Sequence, residues 1–109
     1  MGYEEDTIEE KRDYPRVKNL YLVSYRHKEA GWQISPVSMG RTLDISPSGV
    51  RLEVFQKIKV ESEMEIEIEN TQVSVNGVVL RAMAAGDEVY VIGIRFNEVC
   101  VDLIDCLVS

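Results

Sequence analysis

The sequence predicts an all-β domain, a six-stranded antiparallel β-barrel, closed or nearly closed, with a C-terminal α-helix. Three observations carry that prediction. Glu63-Met64-Glu65-Ile66-Glu67-Ile68-Glu69 alternates without a break, so Met64, Ile66 and Ile68 face a core while four glutamates face water. Ser46-Pro47-Ser48-Gly49 separates two short β-forming runs, with proline at the second turn position and glycine at the fourth, as a type I turn favours. Near the end Val99, Leu103 and Leu107 recur every four residues, as on one face of a helix.

The elements follow in order. Residues 17–27 hold Val17, Leu20, Tyr21, Leu22, Val23 and Tyr25 ahead of a Lys28-Glu29-Ala30-Gly31 break, and make the first strand. Residues 40–45 and 49–55 are the second and third, joined by the Ser46–Gly49 turn, and 63–69 is the fourth. Residues 71–84 and 88–96 complete the set around Ala85-Gly86-Asp87, with Gly77 expected to mark a bulge or bend. Asn97 is a good N-cap, so the terminal helix is expected to begin there and to plug the barrel or rest on it.

A chain of 109 residues, 45% hydrophobic and 28% charged, suits one domain with a modest core. Residues 11–109 are expected to form that single domain, and 1–10 an acidic N-terminal tail, helical or frayed. No apolar run approaches the roughly 18 residues of a membrane span, and the first twenty residues carry acids where a signal peptide needs an apolar stretch. A cytoplasmic location without membrane insertion follows as the expectation. Cys100 and Cys106, six apart at about 100° per helical residue, fall on different faces and are expected as reduced, partly buried thiols. His27 is expected at a solvated strand end.

Net charge is −7, which argues against a protein held on nucleic acid by general phosphate neutralisation. The distribution says more. Residues 1–10 hold five acids and no base, 11–59 are net +6, and 60–109 are net −8. A basic stretch on an acidic chain points to one localised anion site, with chance clustering of surface lysines as the alternative. No nucleophile and base, metal-ligand set or paired carboxylate stands at informative spacing, so neither an enzyme nor a cofactor is expected.

Two motifs lie inside the basic stretch. Arg12-Asp13-Tyr14-Pro15-Arg16 puts two guanidiniums on a segment that Pro15 biases away from a regular helix. Guanidinium grips phosphate oxygens in a two-pronged fashion and also stacks on a flat base, which lysine does not. Asp44-Ile45-Ser46-Pro47-Ser48-Gly49 offers a carboxylate, a hydroxyl and a glycine-ended turn. Guanine presents N1–H and N2–H in parallel, and one carboxylate accepts both, which adenine does not offer; such a pair discriminates by roughly 1–3 kcal/mol. Ser46 is a candidate partner for base or phosphate, and Gly49 a source of unusual backbone angles or of room for a ligand. The same residue types are also what a hairpin turn uses on its own account.

Read jointly, the motifs resemble those of the PilZ domain, the bacterial receptor module for cyclic di-GMP. Arg12-x-x-x-Arg16 resembles the family's Arg-x-x-x-Arg, Asp44-x-Ser46-x-x-Gly49 its Asp/Asn-x-Ser-x-x-Gly, and Gly93-Ile94-Arg95-Phe96 its late Gly-x-x-Phe strand. The resemblance implies a six-stranded barrel whose outer surface binds the dinucleotide under an N-terminal arm, mobile when free, that orders over it. It implies that Arg12 and Arg16 bind phosphates and stack on guanine, and that Asp44 and Ser46 hold a guanine edge beside Gly49. Lys11 and Arg51 are auxiliaries, and a basic Lys11 leaves one ligand or a stacked pair open. Many relatives carry a glycine in the turn before the fourth strand, where this chain has Val60-Glu61-Ser62-Glu63. No effector module is expected beside the domain, so output is expected to pass through an unidentified downstream protein partner, in motility, biofilm or exopolysaccharide control. The alternative is a ligand-independent adaptor of PilZ type in pilus or flagellar assembly. A nucleic-acid-binding barrel is disfavoured by 7% aromatics and the acidic second half.

Overall fold

The computed structural model describes residues 20–29 and 33–108. Within them six strands form a closed antiparallel barrel: β1 (Leu22–Lys28), β2 (Ser38–Ser46), β3 (Gly49–Val54), β4 (Glu63–Ile68), β5 (Ser74–Gly86) and β6 (Val89–Phe96). Two three-stranded meanders, β1-β2-β3 and β4-β5-β6, supply them. β3 pairs with β6 and β1 with β4, giving the cyclic order β1-β2-β3-β6-β5-β4 and leaving no side of the cylinder open.

Alternation sorts the side chains. Val23 and Tyr25 of β1, Val50, Leu52 and Val54 of β3, Met64, Ile66 and Ile68 of β4, and Ile92, Ile94 and Phe96 of β6 all turn inward and are buried. Each such aliphatic side chain contributes roughly 1.5–3 kcal/mol by leaving water. Ile58, from the connection between the meanders, joins the same core. The Tyr25 hydroxyl accepts a hydrogen bond from Gln56 Nε2 at 2.8 Å, and the same amide donates to Ser38 Oγ at 2.8 Å, so a buried polar group is satisfied across three segments. Burial pushes the Tyr25 phenol above its ordinary value of 10.0, with the hydrogen bonds to Gln56 and Ser38 opposing.

Four local expectations change. Gly77 lies in regular register between Met64 and Phe96. It is a glycine because a Cβ there would stand 2.4 Å from the Arg95 carbonyl oxygen, a close approach rather than a bulge. The β5–β6 reversal falls on Asp87-Glu88, with Glu88 at φ 56 and Gly86 already paired to Val89, one step later than Ala85-Gly86-Asp87 suggests. The segment after Asn97 makes bends and turns, pinned where the Cys100 N–H donates to the Pro47 carbonyl at 2.8 Å. Among the described residues, helical structure is confined to α1 (Leu103–Val108), which begins six residues later than Asn97 capping implies and anchors through buried Leu103. His27 is half-buried, its Nδ1 enclosed without a hydrogen-bond partner and its ring 6.3 Å from that of Tyr25, not a solvated strand end.

In the turn before β4, Glu61 stands at φ 78, the left-handed region that glycine adopts at no steric cost. The conformation is held by Glu61 N–H to Val79 O at 2.8 Å and Val79 N–H to Ser62 O at 2.9 Å. The turn is therefore present without a glycine.

Candidate ligand-binding face

β2 cannot carry Asp44 outward by simple alternation. Thr42 is fully buried opposite Leu52, so two residues further on the side chain should again point inward. A register shift between Thr42 and Asp44 inserts one residue and turns Asp44 to the outer face, directly opposite Arg51 of β3. Arg51 then donates to Asp44 Oδ2 twice, from Nε at 2.7 Å and from Nη2 at 2.6 Å. The exposures are unequal: the Asp44 side chain keeps 3% of its surface and that of Arg51 51%. A charge taken this far out of water requires such partners.

Ser46 is fully buried and serves the turn that follows it. Its Oγ accepts from the Ser48 backbone N–H at 3.3 Å, lies 3.2 Å from Ser48 Oγ, and donates to the Gly49 carbonyl at 3.4 Å. Gly49 has a packing reason of its own: a Cβ would stand 2.4 Å from the Ile94 carbonyl oxygen on β6. The room made by this glycine is filled by the neighbouring strand, and its φ lies outside the left-handed region, so the expectation of unusual backbone angles is corrected.

The structure thus brings Asp44, Ser46, Gly49 and Arg51 together on one corner of the barrel. Lys11, Arg12 and Arg16 lie outside the described residues. Two surface hollows formed by described residues lie elsewhere: one is lined by residues including Arg26, His27, Glu63 and Asn76, another by residues including Ser24, Val37, Glu67 and Ser74. The motif corner is a wall, not one of these hollows.

That wall extends beyond the motif. Arg51 sits opposite Gly93 of β6, and Gly93 opposite Arg81 of β5, where a second register shift between Val79 and Arg81 has turned the arginine outward. Arg95 stands on the same face, two residues from Gly93 and opposite Gly49. The arginine within Gly93-Ile94-Arg95-Phe96 was visible in the sequence; Arg81 carries no sequence signal and is found only through the bulge.

Burial pushes the Cys100 thiol up, and Asp102 and Glu98 push it further. Cys106 is exposed, contrary to the partly buried thiol expected, and both cysteines are free. No group of three or more metal-ligating side chains occurs among the described residues, and no helix among them is long and apolar enough to cross a membrane.

A closed barrel with its sequence motifs gathered on an outer wall is the build of a small recognition module. The chain belongs to the PilZ family, whose domain model matches residues 10–109. PilZ domains are non-catalytic modules that bind cyclic di-GMP. No curated protein matches the sequence significantly.

Proposed function

We propose that this chain is a bacterial, cytoplasmic cyclic di-GMP receptor that changes conformation on binding and signals through a protein partner. One observation supports it above the others. Asp44, Ser46 and Gly49, legible in the sequence as a motif, stand with the auxiliary Arg51 on one outer wall of the barrel, and a bulge turns the carboxylate to that face. The ligand lies on this wall, with a guanine edge at Asp44 and Ser46 and with Arg12 and Arg16 binding phosphate and stacking on guanine. Lys11 and Arg51 assist, and an arm formed by the residues before β1 closes over the ligand. Arg51 has to yield part of Asp44, because both of its hydrogen bonds end on Oδ2. Residues 11–109 act as one domain after an acidic tail, with the terminal helix resting against the barrel.

Isothermal titration with cyclic di-GMP, with cyclic di-AMP and GMP as controls, tests the reading. Saturable binding of the first alone is expected, and Arg16→Ala abolishes it while the fold survives. Micromolar affinity retained in that variant moves the site elsewhere. One observation favours the alternative of a ligand-independent adaptor in pilus or flagellar assembly, namely the closure of Asp44 under Arg51. No binding in the titration would leave that reading standing.

A further inference from the structure

Among the described residues nothing gives Gly93 a steric reason to be glycine. At Gly49 and Gly77 an added Cβ would run into backbone oxygen at 2.4 Å, whereas at Gly93 its nearest neighbour among the described residues is the Arg81 Cβ at 3.9 Å, an ordinary contact. Its φ does not lie in the left-handed region either. Glycine in the middle of a strand weakens the sheet, and it often marks a bulge, a tight bend or the close approach of a ligand or another backbone.

What surrounds it says what approaches. Gly93 pairs with Arg51 on one side and Arg81 on the other, and Arg95 stands two residues along the same strand. With strands about 4.8 Å apart, Arg51 and Arg81 flank a bare strip roughly 10 Å wide. Arg81 and Arg95 are exposed, and no acid among the described residues reaches either, on a chain whose net charge is −7. Two separate bulges, one on β2 and one on β5, turn Asp44 and Arg81 outward and align Asp44, Arg51, Gly93 and Arg81 in one transverse row. Regular strands would have put both charges inside.

We propose that Gly93 is the floor of a second subsite, walled by Arg51 and Arg81 and ended by Arg95, that takes a phosphate and the adjoining base distal to Asp44. The inference rests on the cyclic di-GMP reading and extends it along the row. Asp44 and Arg81 stand three strand spacings apart, about 14 Å, further than a single guanine spans. The distal part therefore meets different side chains from those that read the first base. The guanidiniums of Arg81 and Arg95 bind the phosphate oxygens in charge-assisted fashion. The absent side chain at Gly93 lets the base lie flat on the sheet.

The test is isothermal titration of the full chain with cyclic di-GMP, wild type beside Arg81→Ala, Arg95→Ala, Gly93→Ala and Gly93→Leu, with Arg26→Ala on the far side as control. Arg81→Ala and Arg95→Ala each weaken binding about tenfold, as expected for a hydrogen bond to a charged group. Gly93→Leu weakens it at least as much, although Gly93→Ala melts no lower than wild type, and Arg26→Ala binds unchanged. Wild-type affinity in both arginine variants and in Gly93→Leu would overturn the subsite and leave the receptor reading intact. Failure of the wild type to bind cyclic di-GMP would overturn both, and the two failures are thereby told apart.

Discussion

Two walls of the same barrel follow different rules. The wall built on β4 and β1 is regular: Glu63, Glu65 and Glu67 sit opposite Lys28, Arg26 and Ser24 with no register shift, and β4 pairs β5 just as evenly. The wall built on β2, β3, β6 and β5 has bulges on both outer strands, a fully buried serine, a bare mid-strand glycine and three outward arginines. Both rest on one core of the same aliphatic residues. The difference is therefore not imposed by packing. Where a sheet could have been regular and is not, local consistency has been given up for something besides stability, which is how functional surfaces betray themselves.

The largest effect that would separate the walls comes from Gly49→Ala. Its Cβ meets backbone rather than a movable side chain, so β3 and β6 must part and the arginine wall loosens. A loss of about 3 kcal/mol in urea unfolding is expected, and an unchanged midpoint would show that the strand pair has slack. Next is Arg51→Ala, which strips two hydrogen bonds from a nearly buried carboxylate. With half of the arginine in water, the loss is expected at about 1–2 kcal/mol. A neutral result would mean that Asp44 is held without Arg51. Glu61→Gly releases a left-handed side chain at φ 78 and is expected to stabilise by about 0.5 kcal/mol, net of the looser unfolded chain. Glu65→Gln, on the regular wall, is expected to stay within about 0.5 kcal/mol in stability and to leave ligand affinity untouched; a clear change in affinity would erase the contrast between the walls.

Much of this was legible in the sequence where hydrophobic period and turn chemistry agree. The alternation of 63–69 and the Ser46–Gly49 turn placed β4, β2 and β3 to within about two residues at each end. Asp44 was recognised from the chemistry of a carboxylate before a turn. Its direction was not, because a bulge adds one residue without leaving a composition mark, and strict alternation would have sent Asp44 inward. Arg81 went unread for the same reason. The turn before β4 lacks glycine, yet hydrogen bonds on both sides of Glu61 hold the left-handed backbone without one. The expectation for the C-terminal segment erred in the other direction: Asn97 is a fair cap, but the Cys100 bond to Pro47 binds those residues to the motif turn before helical pairing begins.

The most direct test of the account is an amide ¹H–¹⁵N titration with cyclic di-GMP, read strand by strand. Shifts concentrated at Asp44, Ser46, Arg51, Gly93 and Arg81, with Glu63, Glu65 and Glu67 still, are the predicted result. Shifts centred on the glutamate wall, or none at saturating ligand, would contradict it.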